Sequence, residues 1–232
     1  MPNLSEAIAP PAPVFPSKLI ALGDSTVYGY GDPEGGGWVE GLRRRWMGLG
    51  QAGPVLYNLG VRGDGVKQVA QRLEAEFSRR GELRHRVPEA IILSVGTNDS
   101  ARLGHAGGRN HTELGAFTEA IAHLIEQSQR LAPQVYFVGM TPVNEANMPF
   151  MDCLYYSHAE QQRYKRVTRQ ACELRQVPYL DIFDLWMAQG EAWRRDRLWH
   201  DGLHPNTLGY EALLDTVLTW EPLQQLAALA LA

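Results

Sequence analysis

The chain has 232 residues, 44% of them hydrophobic and 21% charged, a balance typical of globular proteins and a length sufficient for one substantial core. A formal net charge of -4 gives no electrostatic basis for a nucleic-acid partner, and no stretch approaches the ~20 apolar residues of a membrane span. Two cysteines, Cys153 and Cys172, are too few for a disulfide framework or a zinc knuckle, so a cytoplasmic location is the default expectation.

In chain order, Met1–Pro16 holds five prolines and lacks both a charged n-region and an apolar h-region. It is expected to be a flexible arm, not a signal peptide or anchor, which leaves residues 17–232 as a single domain. Leu19–Leu22 reads as a buried strand, followed by Gly23-Asp24-Ser25 and a helix near Trp38–Met47 with Arg43–Arg45 on its solvated face. Gly48-Leu49-Gly50-Gln51-Ala52-Gly53 has the spacing of a dinucleotide fingerprint, but it follows a helix and precedes a strand, the reverse of the required order. It reads as a helix stop. A strand at Val55–Leu59, a helix at Val66–Arg80, a strand at Ala90–Val95, a helix at Thr112–Leu131 and a strand at Val135–Gly139 come next.

The apolar and aromatic segment Thr141–Tyr156 leads into a helix at Ser157–Arg175, whose Ser157-His158-Ala159-Glu160 start has the form of a capping box. A last strand at Tyr179–Ile182, a solvated charge run at Arg194–Arg197 and a helix at Asn206–Trp220 follow. The leucine stripe of Glu221–Ala232 is expected to extend that helix and pack on its own domain. Short apolar runs alternating with amphipathic ones predict a flavodoxin-like three-layer α/β/α sandwich with a central five-stranded, mostly parallel sheet.

Two stretches far apart in sequence together read as a hydrolytic site. Ser25 sits on the carboxyl-end loop of the first strand, the edge of an open α/β sheet that ligands favour. Asp201 precedes His204 by three residues, close enough within one turn for its carboxylate to orient the imidazole, so nucleophile, base and orienter are all present. Sheet topology brings two polar loops alongside, Asn58-Leu59-Gly60-Val61-Arg62-Gly63 and Gly96-Thr97-Asn98-Asp99. The Gly60 amide and the Asn98 carboxamide are candidate donors to an oxyanion. Each block also has an ordinary reading: Gly-Asp-Ser and Gly-x-Asn-Asp as turns, and His204-Pro205 as an entry to the last helix with Asn206 as its cap. No Gly-x-Ser-x-Gly elbow or phosphate-binding loop occurs, and His200, Asp201 and His204 lack a further strong ligand at metal-site spacing. No metal or cofactor is expected. Sequons at Asn3, Asn98 and Asn110 carry little weight without a route to secretion.

Taken in order, these four blocks resemble the pattern of the SGNH hydrolases, also called the GDSL esterase/lipase family, over residues 23–204. The resemblance implies Ser25 as nucleophile, Asp201 and His204 as the rest of a triad, and an oxyanion hole made by the Ser25 amide, Gly60 and Asn98. Thr26 stands where the family's name motif has leucine, next to the nucleophile but outside the chemistry. The expected function is a serine ester hydrolase acting on a small-molecule acyl ester or thioester through an acyl-enzyme. An O-acyltransferase or sugar O-deacetylase would use the same site, and an inactive binding module would retain its form. Thr141–Tyr156 is either an acyl pocket or lid, or a loop packed by its own side chains.

Overall fold

The computed structural model describes residues 18–47, 54–81 and 87–228. Its elements in chain order are β1 (Lys18–Gly23), α1 (Ser25–Tyr28), α2 (Gly37–Met47), β2 (Val55–Gly60), α3 (Val66–Arg79), β3 (Ala90–Ser94), β4 (Arg102–Leu103) and α4 (Leu114–Leu131). Then come β5 (Gln134–Val138), β6 (Leu154–Tyr155), α5 (His158–Leu174), β7 (Tyr179–Leu180), α6 (Ile182–Met187), α7 (Glu191–Arg195), α8 (Thr207–Thr219) and α9 (Glu221–Ala228). The proline-rich arm and the Gly48–Gly53 segment lie outside the described residues.

The central sheet has the order β2-β1-β3-β5-β7, and every neighbouring pair is parallel. Both faces are covered, which is why β1 and β3 read as unbroken apolar runs instead of alternating ones. Ile20 and Leu22 point into a core shared with Val69 and Leu73 of α3, Ile121 and Leu124 of α4, and Tyr164 of α5. Leu19 and Ala21 point the other way, against Trp38 and Leu42 of α2 and Tyr210 and Leu213 of α8. Each fully buried leucine or isoleucine here contributes ~1.5–3 kcal/mol relative to exposure. Because the chain leaves β1 toward β2 on one side and β3 on the other, a crevice opens beyond the carboxyl ends of β1 and β3. Ser25 and Asn98 both lie there.

Several boundaries differ from expectation for local reasons. β7 ends at Leu180 because the Asp181 carboxylate accepts from the Asp184 amide at 3.1 Å and starts α6. Ser157 does cap α5, accepting from the Glu160 amide at 3.2 Å, but Glu160 does not reach back. Its carboxylate is held instead by Arg102 at 2.8 Å, Asn110 at 2.9 Å and Arg163 at 2.9 Å. The tail does not extend α8. Trp220 is extended, and Pro222, which cannot continue a helix but fits a first turn, begins the separate helix α9. Leu223 and Leu226 of that helix are buried in the α2–α8 core, and the later leucines of the stripe lie outside the described residues.

Thr141–Tyr156 packs partly on itself and partly on β4, the start of α5 and the turn around Gly202. Phe150 and Leu154 exchange backbone hydrogen bonds of 2.8 and 2.9 Å, and β6 pairs with β4 in a two-stranded antiparallel ribbon. Val143 and Tyr156 join Ala101 and Leu203 in a small apolar cluster with Met148, Phe150 and Leu154 against it, while Met151 is 73% exposed. No helix among the described residues is long and apolar enough to cross a membrane.

Candidate active site

Ser25 opens α1 directly after β1. Asp24 caps that short helix, its carboxylate accepting from the Thr26 amide at 2.9 Å, so the turn holds its shape without using the serine hydroxyl. The Ser25 side chain is therefore free to face the crevice, where its Oγ lies 2.8 Å from His204 Nε2. On the other side of the ring, His204 Nδ1 lies 2.7 Å from Asp201 Oδ2. The second carboxylate oxygen, Oδ1, accepts from the amides of Leu203 at 2.8 Å and His204 at 3.0 Å. One aspartate thus closes its own turn and orients the ring three residues on. Burial alone would raise the Asp201 carboxyl, but the His204 ring and amide and the Leu203 amide outweigh it and hold the group below the ordinary carboxylate range. The carboxylate stays ionised beside the ring.

The imidazole is walled by aromatic rings. Tyr30 and Phe150 approach it edge-on, with ring centroids at 4.7 and 5.8 Å. The exposed Arg62 guanidinium stacks 3.8 Å above the Tyr30 ring and forms the rim. Phe150 brings the Thr141–Tyr156 loop against His204. His200, immediately before Asp201 in the chain, lies with its ring 4.8 Å from that of Trp199.

The oxyanion candidates are placed unequally. The Ser25 amide has no acceptor among the described residues. Asn98 donates through Nδ2 to the Asp64 carbonyl at 2.9 Å, and its Oδ1 accepts from the Tyr156 hydroxyl at 3.3 Å. Gly60 is engaged elsewhere: its amide donates to Asn58 Oδ1 at 3.0 Å, and a Cβ at this position would collide with the backbone of Tyr28. Glycine is needed there so that β2 can pass close under α1. Gly63 is different. It adopts φ +84, a Cβ would meet nothing within 4 Å, and its amide has no acceptor among the described residues. Arg72 ties this loop to the end of β1, donating to Asp64 Oδ2 at 2.7 Å and to the Gly23 carbonyl at 2.9 Å. In the sequence Gly63 is one more glycine of the polar loop; what sets it apart is a conformation, and not a close contact, that disfavours a side chain.

Two further carboxyls are buried here. Asp99 anchors the Asn98 turn, accepting from the Val66 amide at 3.0 Å and the Thr112 hydroxyl at 2.7 Å; burial nonetheless raises its pKa. Burial also pushes Asp24 up to about 6, against the Thr26 amide and the nearby His204. A raised carboxyl means the folded protein keeps a proton that the unfolded chain has released, so Asp24 costs stability as pH rises from about 4 to about 6. Asp24→Asn keeps an acceptor for the Thr26 amide and removes the buried charge. It is expected to stabilise the fold by up to about 3 kcal/mol at pH 7, with the gain shrinking toward pH 4, as read from urea melts at the two pH values.

Comparison with known proteins bears on the whole assembly. The profile of the GDSL-like lipase/acylhydrolase family matches residues 21–212. Similar solved structures include a lipase/acylhydrolase from Enterococcus faecalis, at 20% identity and a TM-score of 0.68 over 87% of this chain and 93% of that one. An α/β hydrolase enzyme from the metagenome of Lake Arreo, Spain, matches at 17% identity and a TM-score of 0.64 over 87% and 93%. A catalytic mutant of an acetylxylan esterase from Geobacillus stearothermophilus matches at 18% identity and 0.63 over 87% and 92%. At these identities the likeness is one of fold. No curated protein sequence matches the chain.

Proposed function

The chain belongs to the GDSL-like lipase/acylhydrolase family, and we propose that, as a carboxylic ester hydrolase of that family, it cleaves acyl esters through an acyl-enzyme on Ser25. The observation that carries this reading is the unbroken relay from Ser25 Oγ to His204 Nε2 at 2.8 Å and from His204 Nδ1 to Asp201 Oδ2 at 2.7 Å. His204 takes the hydroxyl proton as Oγ attacks the ester carbonyl, and Asp201 stabilises the imidazolium that forms. The tetrahedral intermediate collapses as His204 returns the proton to the leaving alcohol. Water, deprotonated by the same ring, then attacks the acyl-serine and releases the acid.

For the oxyanion we take the Ser25 amide, the Asn98 carboxamide and Gly63 as donors. Gly63 replaces Gly60 in this scheme because the Gly60 amide already has its acceptor in Asn58. The Gly63–Asp64 segment is also the one held against both Asn98 and the end of β1. Among the similar structures, catalytic mutants of the acetylxylan esterase alter a serine, and an aspartate and a histidine three positions apart, the spacing of Asp201 and His204. Cys153 and Cys172 are both free thiols, which fits a reducing compartment and supports the cytoplasm as the proposed location.

A fluorophosphonate probe tests the reading at the nucleophile. One equivalent of label on the Ser25 peptide, found by mass spectrometry and blocked by prior incubation with p-nitrophenyl acetate, is the expected result. An intact protein that neither labels at Ser25 nor releases p-nitrophenolate would instead be a binding module with the form of a hydrolase.

A further inference from the structure

We infer that Tyr156 is a positioning residue for the oxyanion donor Asn98, its hydroxyl fixing which end of the Asn98 carboxamide faces the reacting carbonyl. The inference rests on the proposed esterase reading and adds a residue to it. The Asp64 carbonyl can only accept a hydrogen bond, so the Asn98 atom 2.9 Å away is the nitrogen. The other end of the carboxamide, facing Tyr156 at 3.3 Å, is then the oxygen, and the phenol must donate to it. With both ends held, the carboxamide cannot flip. One Nδ2 hydrogen is committed to Asp64, and the second has no acceptor among the described residues, which leaves it for a substrate oxyanion.

The surroundings of Tyr156 suit a fixed donor. The residue is 3% exposed and follows β6 directly, where the Arg102–Tyr155 pairing with β4 pins the backbone, and Ser157 begins the cap of α5 immediately after it. Burial, together with the carboxyls of Asp24, Asp99 and Asp201, pushes the phenol far above its ordinary range, so it remains protonated across the working pH range. A carbonyl oxygen that accepts a hydrogen bond makes the N–H at the other end of the same amide a stronger donor. The 3.3 Å bond has room to shorten as negative charge develops on the substrate oxygen. The effect is therefore expected on the chemical step and not on ground-state binding.

A double-mutant cycle on the full chain tests this with p-nitrophenyl acetate, at a temperature where circular dichroism shows all four proteins folded. Y156F should lower kcat about five- to tenfold with KM within about twofold of the parent. In the N98A background, where there is no carboxamide to position, the same change should cost less than about twofold. An equal loss in both backgrounds, an unchanged kcat, or a rise in KM alone would overturn the inference. Failure of the esterase reading itself would look different: S25A would then hydrolyse the ester as fast as the parent.

Discussion

Ser25→Ala should lower kcat for p-nitrophenyl acetate by on the order of 10⁶-fold, the scale on which losing the nucleophile of a triad acts. The variant should nonetheless fold. α1 is capped by the Asp24 carboxylate, which accepts from the Thr26 amide, and the Ser25 carbonyl, which accepts from the amides of Gly29 and Tyr30 at 3.0 Å, is untouched by the change. What is lost on the structural side is one partner of His204 Nε2 in a buried site, worth ~1–3 kcal/mol. The burst of p-nitrophenolate should vanish along with the fluorophosphonate label. Residual turnover of ~10³–10⁴ over the uncatalysed rate is expected to survive, because the donors around Asn98 and the Ser25 amide still stabilise the tetrahedral oxyanion when water attacks in place of Oγ. A variant that kept more than about a tenth of the parental kcat would remove Ser25 from the nucleophile role.

The parts of this arrangement that were legible in the sequence are those set by local patterns. Apolar runs at Leu19–Leu22 and Ala90–Val95 mark strands buried on both faces, and a serine or asparagine just past such a strand is delivered to the sheet's carboxyl edge by topology alone. The three-residue spacing of Asp201 and His204 also suffices, because a turn of that length allows few ways for a carboxylate to meet the imidazole. The loop proposed to supply an oxyanion donor is harder to read. Gly60 and Gly63 are equivalent as letters, and only the Asn58 side chain, folding back onto the Gly60 amide, separates a glycine needed for close packing from one with a free amide. Glu160 shows the same limit. Three residues after a capping serine it has the right spacing to reach back, but Arg102 and Asn110 come from β4 and the following loop to claim it. Tyr156 is hidden for a related reason: within an aromatic segment its ring reads as packing, and the role proposed for its hydroxyl depends on a partner 58 residues away.

Asp201→Asn should cost on the order of 10⁴ in kcat while leaving the fold nearly intact, the scale reached when only the tautomer of a catalytic histidine is wrong. The argument follows from how the two carboxylate oxygens divide their work. Asn Oδ1 can keep accepting from the amides of Leu203 and His204, so the turn that presents the ring persists. The other oxygen is replaced by an NH2 group, which can only donate, set against His204 Nδ1 where 2.7 Å separates the pair. The ring answers by keeping its proton off Nδ1 and carrying it on Nε2. It then faces Ser25 Oγ with an N–H in place of the lone pair that must receive the hydroxyl proton. Nitrogen-15 NMR of the imidazole should report the change of tautomer directly, and the rate of fluorophosphonate labelling should fall in step with kcat. The substitution should also flatten the acid side of the stability profile. Asp201 is held below the ordinary carboxylate range, so the parent is stabilised above the unfolded-state pKa and loses that contribution as pH falls through the lower, folded value. The asparagine variant has no such group to titrate. A kcat within about tenfold of the parent, with the Nε2 lone pair still facing Ser25, would mean that something other than Asp201 sets the state of the ring.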